Sequence, residues 1–113
     1  MYPTFVRFVP DRNTDDPLFA MVAADFGLGN TRPGLALRQH EGHIEVLIAP
    51  DGRTALFAPS ALLPGLPASA ALGLMDALEE AIEDALDLDD VASTTLARLQ
   101  ETLVLLERCM PDA

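Results

Sequence analysis

Two apolar stripes with helical spacing dominate the C-terminal part of this sequence. Steps of four and three residues place the members of each stripe on one face, so each stripe predicts an amphipathic α-helix. The first stripe consists of Ala71, Met75, Leu78, Ile82 and Ala85, and the second of Ala92, Leu96, Leu99, Leu103, Leu106 and Met110. The short link Leu88-Asp89-Asp90 joins them, which predicts an antiparallel helical hairpin lying on a sheet.

The preceding part of the chain predicts strands. β-Branched and aromatic residues or alternating apolar residues mark four of them: Phe5 to Val9, Leu35 to His40, His43 to Ala49 and Arg53 to Ala58. Asp51-Gly52 between apolar runs is a strong signal for a hairpin, and Glu41-Gly42 supplies the turn before it. We therefore expect an antiparallel meander, which the first strand can join.

One helix is predicted between the first two strands. Asp16-Pro17 is typical of an N-cap followed by proline at the first helical position, and it opens a helix to about Phe26. Gly27-Leu28-Gly29 ends that helix, and Asn30 to Gly34 is predicted as a loop. The order is β-α-β-β-β-α-α, an α+β fold class in a single domain over residues 1–113.

Residues 54–75 carry no charge, and by length alone this segment could cross a bilayer. Pro59, Pro64 and Pro67 break any helix there, so we predict a strand, a proline-rich connector over 59–67 and a helix start. The N-terminus lacks the pattern of a signal peptide, and the sole cysteine, Cys109, excludes an internal disulfide. We therefore expect a soluble, cytoplasmic protein. Its lysine-free composition is typical of a GC-rich bacterial or phage genome.

The charge of the chain is strongly negative and uneven. It has 18 acids, 7 bases and a formal net charge of −11, and half of its residues are hydrophobic, which excludes a disordered acidic tail. Residues 1–53 hold 7 acids and 5 arginines, whereas residues 54–113 hold 11 acids and 2 arginines. Direct binding to nucleic acid is disfavoured because it needs lysine and arginine to neutralise phosphates. A basic protein partner is favoured.

The densest group of acids lies on the first C-terminal helix. At about 100° per residue, the six acids from Asp76 to Asp87 fall within roughly 140°, opposite the apolar residues Leu74, Met75, Leu78, Ile82 and Leu86. Four i,i+4 pairs join like charges, and the helix C-terminus favours cations instead. We predict a partner-binding surface of Asp76, Glu79, Glu80, Glu83, Asp84, Asp87, Asp89 and Asp90. The alternative is a solvated helix face without a partner.

No catalytic or cofactor-binding constellation is recognisable in the sequence. The acidic segment 84–90 lacks the central glycine and the closing glutamate of a calcium loop. Cys109 has no histidine in its own segment that would activate a thiol nucleophile. We therefore predict that the protein is not an enzyme and holds no cofactor or metal.

Two histidines bracket the predicted Glu41-Gly42 turn. His40 and His43 would face each other there and could share a weakly held metal ion with Glu45. The spacing and the strand context differ from the helical zinc pattern of metalloproteases. Solvated turn histidines are the favoured interpretation.

The last predicted helix has apolar residues at successive positions over 103–106. Leu105 lies about 120° away from the stripe that contains Leu99 and Leu106, so the apolar surface extends around the helix. This pattern predicts self-association as a homodimer through Leu105 and Val104, or additional packing on the sheet.

The leading functional hypothesis is a non-enzymatic acidic protein that binds and inhibits a basic, nucleic-acid-binding partner. Carboxylates one helical turn apart are spaced by about 5.4 Å, comparable to successive phosphates of one nucleic-acid strand. The acidic helix face is therefore predicted to act as a nucleic-acid mimic. An anti-CRISPR or anti-restriction protein of a phage or mobile element is the concrete form of this hypothesis. An immunity protein against a basic toxin would use the same face.

The segment from Pro17 to Ala85 supports a second hypothesis. Its order of helix, three strands, proline-rich connector and helix resembles the acidic effector chaperones of type III secretion. The resemblance implies a dimer that holds an unfolded effector through apolar surface. The chain departs from that pattern in two ways: a strand precedes the first helix, and the strand pair expected between the last two helices is missing.

Overall fold

A five-stranded antiparallel sheet and three α-helices make up residues 2–87 and 93–110, the part of the chain that our computed structural model describes. The strands are β1 (Thr4–Phe8), β2 (Arg32–His40), β3 (His43–Leu47), β4 (Thr54–Phe57) and β5 (Leu62–Pro64), and the helices are α1 (Pro17–Asp25), α2 (Ala68–Asp87) and α3 (Ser93–Cys109). The predicted α+β class with a C-terminal helical hairpin is confirmed. Among the described helices, none has the length and apolar character to cross a membrane.

Helix α1 begins as its sequence predicts. The Asp16 side chain accepts hydrogen bonds from the backbone N–H groups of Leu18 at 2.9 Å and Phe19 at 3.3 Å, and Pro17 occupies the first turn. These bonds satisfy two of the amide groups that a helix start leaves without a partner. Gly27 follows the end of the helix with φ of +69°, a left-handed conformation that glycine adopts without strain.

The sheet has the strand order β4-β3-β2-β1-β5, and all of its neighbouring strands are antiparallel. The predicted meander is therefore confirmed, and β1 does join it, beside β2. Glu41 and Gly42 form the two-residue turn between β2 and β3 with φ of +47° and +86°, as a type I′ turn requires. Gly52 has φ of +92° in the turn between β3 and β4.

Two predictions about the sheet are wrong. Strand β2 begins at Arg32 and not at Leu35, because the residues predicted as a loop pair with β1, for example Gly34 with Val6. The proline-rich connector contains β5, which pairs with the other side of β1. Proline is tolerated there because β5 lies at the sheet edge, where a missing N–H group breaks no ladder.

The sheet is strongly curved. Strands β1 and β4 are separated by two other strands, so in a flat sheet they would lie about 14 Å apart. The rings of Phe8 on β1 and Phe57 on β4 nevertheless have centroids only 5.1 Å apart. Gly34 lies inside the curve, where a Cβ atom would come within 2.8 Å of Val46 Cγ1. Residues of these non-adjacent strands thus pack together over one face of the sheet.

Each side of the sheet carries a hydrophobic cluster, and a third, small cluster of Ala23, Leu28 and Ala70 joins α1 to α2. The concave side encloses Val6, Phe8, Ala36, Ile44, Val46 and Ile48. The convex side is covered by the helices through a cluster made of Phe5, Phe19, Val22, Leu35, Leu47, Ala71, Leu74, Leu78, Ile82, Leu99 and Leu106. Helix α2 packs between α1 and α3, so one of its faces is buried and the opposite face points away from the sheet.

Candidate interaction surface

The outer face of α2 carries the predicted acids. All six that the structure describes have exposed side chains: Asp76, Glu79, Glu80, Glu83, Asp84 and Asp87. The buried residues of the same helix are Ala70, Ala71, Leu74, Leu78 and Ile82. The helical period thus separates the carboxylates from the core as the sequence predicts. We call these six residues the acidic face.

The apolar border of this face differs from the prediction. Leu86 was expected opposite the acids, but its side chain is 59% exposed. It lies about 40° beyond Ile82 around the helix, and Ile82 is itself the last buried residue of α2. The packing therefore ends just before Leu86. Leu72, near the start of α2, is similarly exposed.

The acidic face takes part in none of the ion pairs formed within residues 2–87 and 93–110. Those pairs all lie on the sheet and around the start of α1: Arg32 with Asp15 at 2.8 Å, Arg53 with Asp16 and with Asp51 at 3.3 Å each, and Arg38 with Glu45 at 3.6 Å. His40 Nε2 also lies 2.7 Å from Glu45, a contact that is an ion pair only when the imidazole is protonated. Three arginines of the N-terminal half, Arg32, Arg38 and Arg53, thus neutralise acids close to themselves. The charge of α2 remains available to another molecule.

The acids of this face form two rows along the helix. One row contains Asp76, Glu80 and Asp84, and the other contains Glu79, Glu83 and Asp87. Neighbours within a row are about 6 Å apart along the axis, and the whole face is about 16 Å long, at 1.5 Å per residue. The face therefore carries roughly one charge per 3 Å. One strand of DNA carries a charge every 3.4 Å or so, and the duplex carries one every 1.7 Å or so.

Two other predicted acids, Asp89 and Asp90, lie outside the residues that the structure describes. The predicted self-association residues lie on α3. Val104 is 47% exposed, whereas Leu105 is only partly exposed and packs against the core cluster beneath the helices. Val104 is thus the more exposed of the two side chains, and their part in self-association stays a prediction.

The histidine hairpin forms a separate polar site. His40 Nε2 lies 2.7 Å from Glu45 Oε1, and both His40 and His43 are exposed next to the turn. An open depression of about 750 Å³ lies beside them and is lined by His40, Glu41, His43, Glu45, Thr54, Ala55 and Leu56. In the described part of the chain, no three histidine, cysteine, aspartate or glutamate side chains are grouped to hold a metal ion.

The remaining reactive side chain is Cys109, near the end of α3. Burial raises the pKa of its thiol above the ordinary value, because the charged thiolate loses solvation there. A raised pKa lowers the fraction of thiolate, which is the nucleophilic form. The environment of Cys109 therefore makes the thiol less reactive.

Comparison of the chain with protein-family models, with curated proteins and with solved structures finds no match.

Proposed function

We propose that this protein binds and inhibits a basic, nucleic-acid-binding protein by presenting the acidic face in place of a nucleic-acid strand. One observation carries the proposal: the six carboxylates of α2 are all exposed, and none of them takes part in an ion pair within the described residues. A partner rich in arginine and lysine would supply the missing cations.

The energetics of α2 support a role beyond solubility. Four like-charge pairs at i,i+4 cost about 0.2–0.5 kcal/mol each, which makes about 1–2 kcal/mol in total. Three of the acids, Glu83, Asp84 and Asp87, also lie in the last turns of the helix, where the macrodipole favours cations. A helix selected for stability alone would interleave arginines here. Local features that disfavour the fold are typical of functional surfaces.

The charge density of the acidic face narrows the class of partner. At roughly one charge per 3 Å it corresponds to one nucleic-acid strand and not to a duplex. The two rows also lie only about 5–6 Å apart on a helix whose side chains reach about that far from the axis. We therefore propose a partner whose basic groove follows a single strand or one backbone of a duplex.

The concrete form that we propose is an anti-CRISPR or anti-restriction protein of a phage or mobile element, acting in the bacterial cytoplasm. This protein would occupy the groove and would have no catalytic activity of its own. If the partner were a basic nuclease toxin, this protein would be an immunity protein that binds the toxin through the same acidic face. An effector chaperone would instead hold its client through apolar surface.

A competition experiment tests the proposal. The protein is immobilised, partners from a bacterial lysate are bound at about 50 mM salt, and they are eluted with a single-stranded oligonucleotide or with rising salt. We expect a basic protein that is released by both. The captured protein is then purified for titration with the variant Asp76→Asn, Glu80→Gln, Glu83→Gln, Asp87→Asn. Its affinity should fall about ten- to a hundredfold, since exposed ion pairs contribute up to about 1 kcal/mol each.

A matched control neutralises the same number of exposed acids elsewhere. The substitutions Asp11→Asn, Glu41→Gln, Glu101→Gln and Glu107→Gln give the same net charge and leave α2 unchanged. This control should bind nearly as well as the wild type. An equal loss of affinity in both variants would mean that the partner responds to the net charge of the protein and not to the acidic face. Binding that resists salt and survives the α2 variant would contradict the proposal and favour the chaperone hypothesis.

A further inference from the structure

An aromatic ring lies against α2 at the N-terminal end of the acidic face. Phe26 follows the last residue of α1, and its side chain is 39% exposed. The ring lies on Gly73 so closely that a Cβ atom at that position would overlap ring carbons of Phe26. Glycine thus lets the ring seat on the helix backbone, which fixes the position of an aromatic surface that faces solvent.

Two exposed acids are close to this ring, one along the chain and one along α2. Asp25, the last residue of α1, is exposed and adjacent in sequence, and the last turn of α1 contains no basic residue. The C-terminus of α1 itself carries a partial negative charge from the helix macrodipole. Asp76 lies one turn beyond Gly73 on α2, about 5–6 Å away, and helical side chains lean toward the N-terminus, which brings it toward the ring.

An arginine side chain fits this combination better than any other common ligand. Its planar guanidinium stacks on an aromatic face and donates paired hydrogen bonds to carboxylates, while its charge is attracted by a helix C-terminus. Neither Asp25 nor Asp76 takes part in an ion pair within the described residues, so none of the arginines there occupies the position. Lysine would gain the charge attraction but has no planar group to stack.

We propose that Phe26, Asp25 and Asp76 form a socket for an arginine side chain of the partner. This inference rests on the proposed function, because the socket lies at the end of the acidic face that the partner would cover. It adds a specificity that charge alone does not give: the partner places an arginine, and not a lysine, beside Gly73. Phe26 is then the residue that determines this preference.

Peptide binding tests the socket without the natural partner. An oligo-arginine and an oligo-lysine peptide of equal length are titrated against the full chain at about 100 mM salt, where charges beyond about 10 Å are screened. Arginine peptides bind carboxylates more tightly in general, so the decisive value is how the ratio of the two affinities changes on substitution. Phe26→Leu keeps an apolar side chain over Gly73 and should lower the ratio about two- to fivefold.

The matched control is Met21→Leu, at another exposed apolar residue next to the same helix pair, which should leave the ratio unchanged. Asp25→Asn should weaken the binding of both peptides, and that of the arginine peptide at least as much as that of the lysine peptide, because only guanidinium donates paired hydrogen bonds to a carboxylate. In the wild-type protein, the arginine peptide should shift the ring-proton resonances of Phe26 more than the lysine peptide does, a readout that needs no substitution. Equal ring shifts, or an unchanged ratio in Phe26→Leu, would overturn the socket.

The outcomes also separate this inference from the proposed function. If both peptides bind through the acidic face but Phe26→Leu leaves their ratio unchanged, the socket is wrong and the acidic face stands. If neither peptide loses affinity in the α2 variant with four neutralised acids, the proposed function fails and the socket fails with it.

Discussion

Asp16 and Asp87 are both aspartates at the end of a helix, and their surroundings are opposite. Asp16 caps the start of α1, where it accepts two backbone hydrogen bonds and receives Arg53 at 3.3 Å. Asp87 is the last residue of α2, exposed, and takes part in none of the ion pairs among the described residues. One carboxylate lies at the helix end that favours it, and the other at the end that opposes it.

The same contrast holds between the two regions around them. On the sheet and at the start of α1, four acids have arginine or histidine neighbours within 4 Å: Asp15, Asp16, Glu45 and Asp51. On α2 the acids have only one another. The protein therefore contains arginines and uses them to neutralise charge in one region, and leaves a second region without them. Asp11, Asp25 and Glu41 also form none of these pairs, so the second region is distinguished by its density of such acids, six on one helix face.

The largest expected effect on stability comes from removing the repulsion within the acidic face. The variant Asp76→Asn, Glu80→Gln, Glu83→Gln, Asp87→Asn relieves all four like-charge pairs and should raise the free energy of unfolding by about 1–2 kcal/mol. For a domain of this size that corresponds to a rise in Tm of about 4 °C or more. Urea denaturation at low salt measures the gain. A loss of stability would mean that these side chains hold the fold together.

The opposite result is expected at the start of α1. Asp16→Ala removes both capping hydrogen bonds and the Arg53 pair, and should lower the free energy of unfolding by about 1 kcal/mol. Asp16→Asn keeps a side-chain oxygen for capping and should cost much less. Chemical denaturation of the two variants compares them directly. If Asp16→Ala left the free energy of unfolding unchanged, the claim that Asp16 stabilises the fold, unlike the acids of α2, would be wrong.

The difference between the capped start of α1 and the exposed acids of α2 is largely predictable from the sequence, because both features depend on local patterns. Asp16-Pro17 predicts a helix start because aspartate caps the first amide groups of a helix. The period of 3.6 residues places Asp76 and Leu78 on opposite faces of α2, whatever the rest of the fold. The start of α1, the helical hairpin and the exposure of the six acids therefore agree with the prediction, whereas partner binding by the acidic face stays a prediction.

The features that sequence reasoning missed depend on contacts between distant segments. Strand β5 exists because Leu62–Pro64 lies beside β1, although Pro64 and the prolines that flank the segment argue against a strand. The close approach of Phe8 and Phe57 follows from the curvature of the whole sheet, which no local pattern encodes. Phe26 was predicted only as a helix end, and its partner Gly73 lies on another helix. A glycine in the middle of an amphipathic helix was the one available signal of close packing there.

A single substitution at the end of α2 sharpens the comparison with Asp16. Asp87→Asn removes a negative charge from the helix C-terminus and should raise the free energy of unfolding by about 0.3–1 kcal/mol. Asp76→Asn, in the middle of the helix, relieves one like-charge pair and should gain only about 0.2–0.5 kcal/mol. Thermal unfolding of both variants side by side tests the order. A larger rise in the free energy of unfolding for Asp76→Asn would mean that repulsion between like charges, and not the position of Asp87 at the helix end, destabilises α2.

The smallest expected effect is a difference in the response of stability to salt. Raising the salt concentration from about 50 mM to about 500 mM shortens the Debye length from roughly 14 Å to about 4 Å, which screens the repulsion among the exposed acids of α2. The wild-type protein should therefore gain a few tenths of a kcal/mol more than the variant with four neutralised acids, since the variant has little repulsion left to screen. The control variant with four acids neutralised outside α2 should respond like the wild type, because its α2 is unchanged. Parallel urea titrations at the two salt concentrations measure these differences, and ion-specific effects common to all three proteins cancel in the comparison. An equal response of all three proteins would mean that the carboxylates of the acidic face are too well solvated to repel one another. The argument for a partner from like-charge repulsion would then fail, and only the argument from the exposure and spacing of the carboxylates would remain.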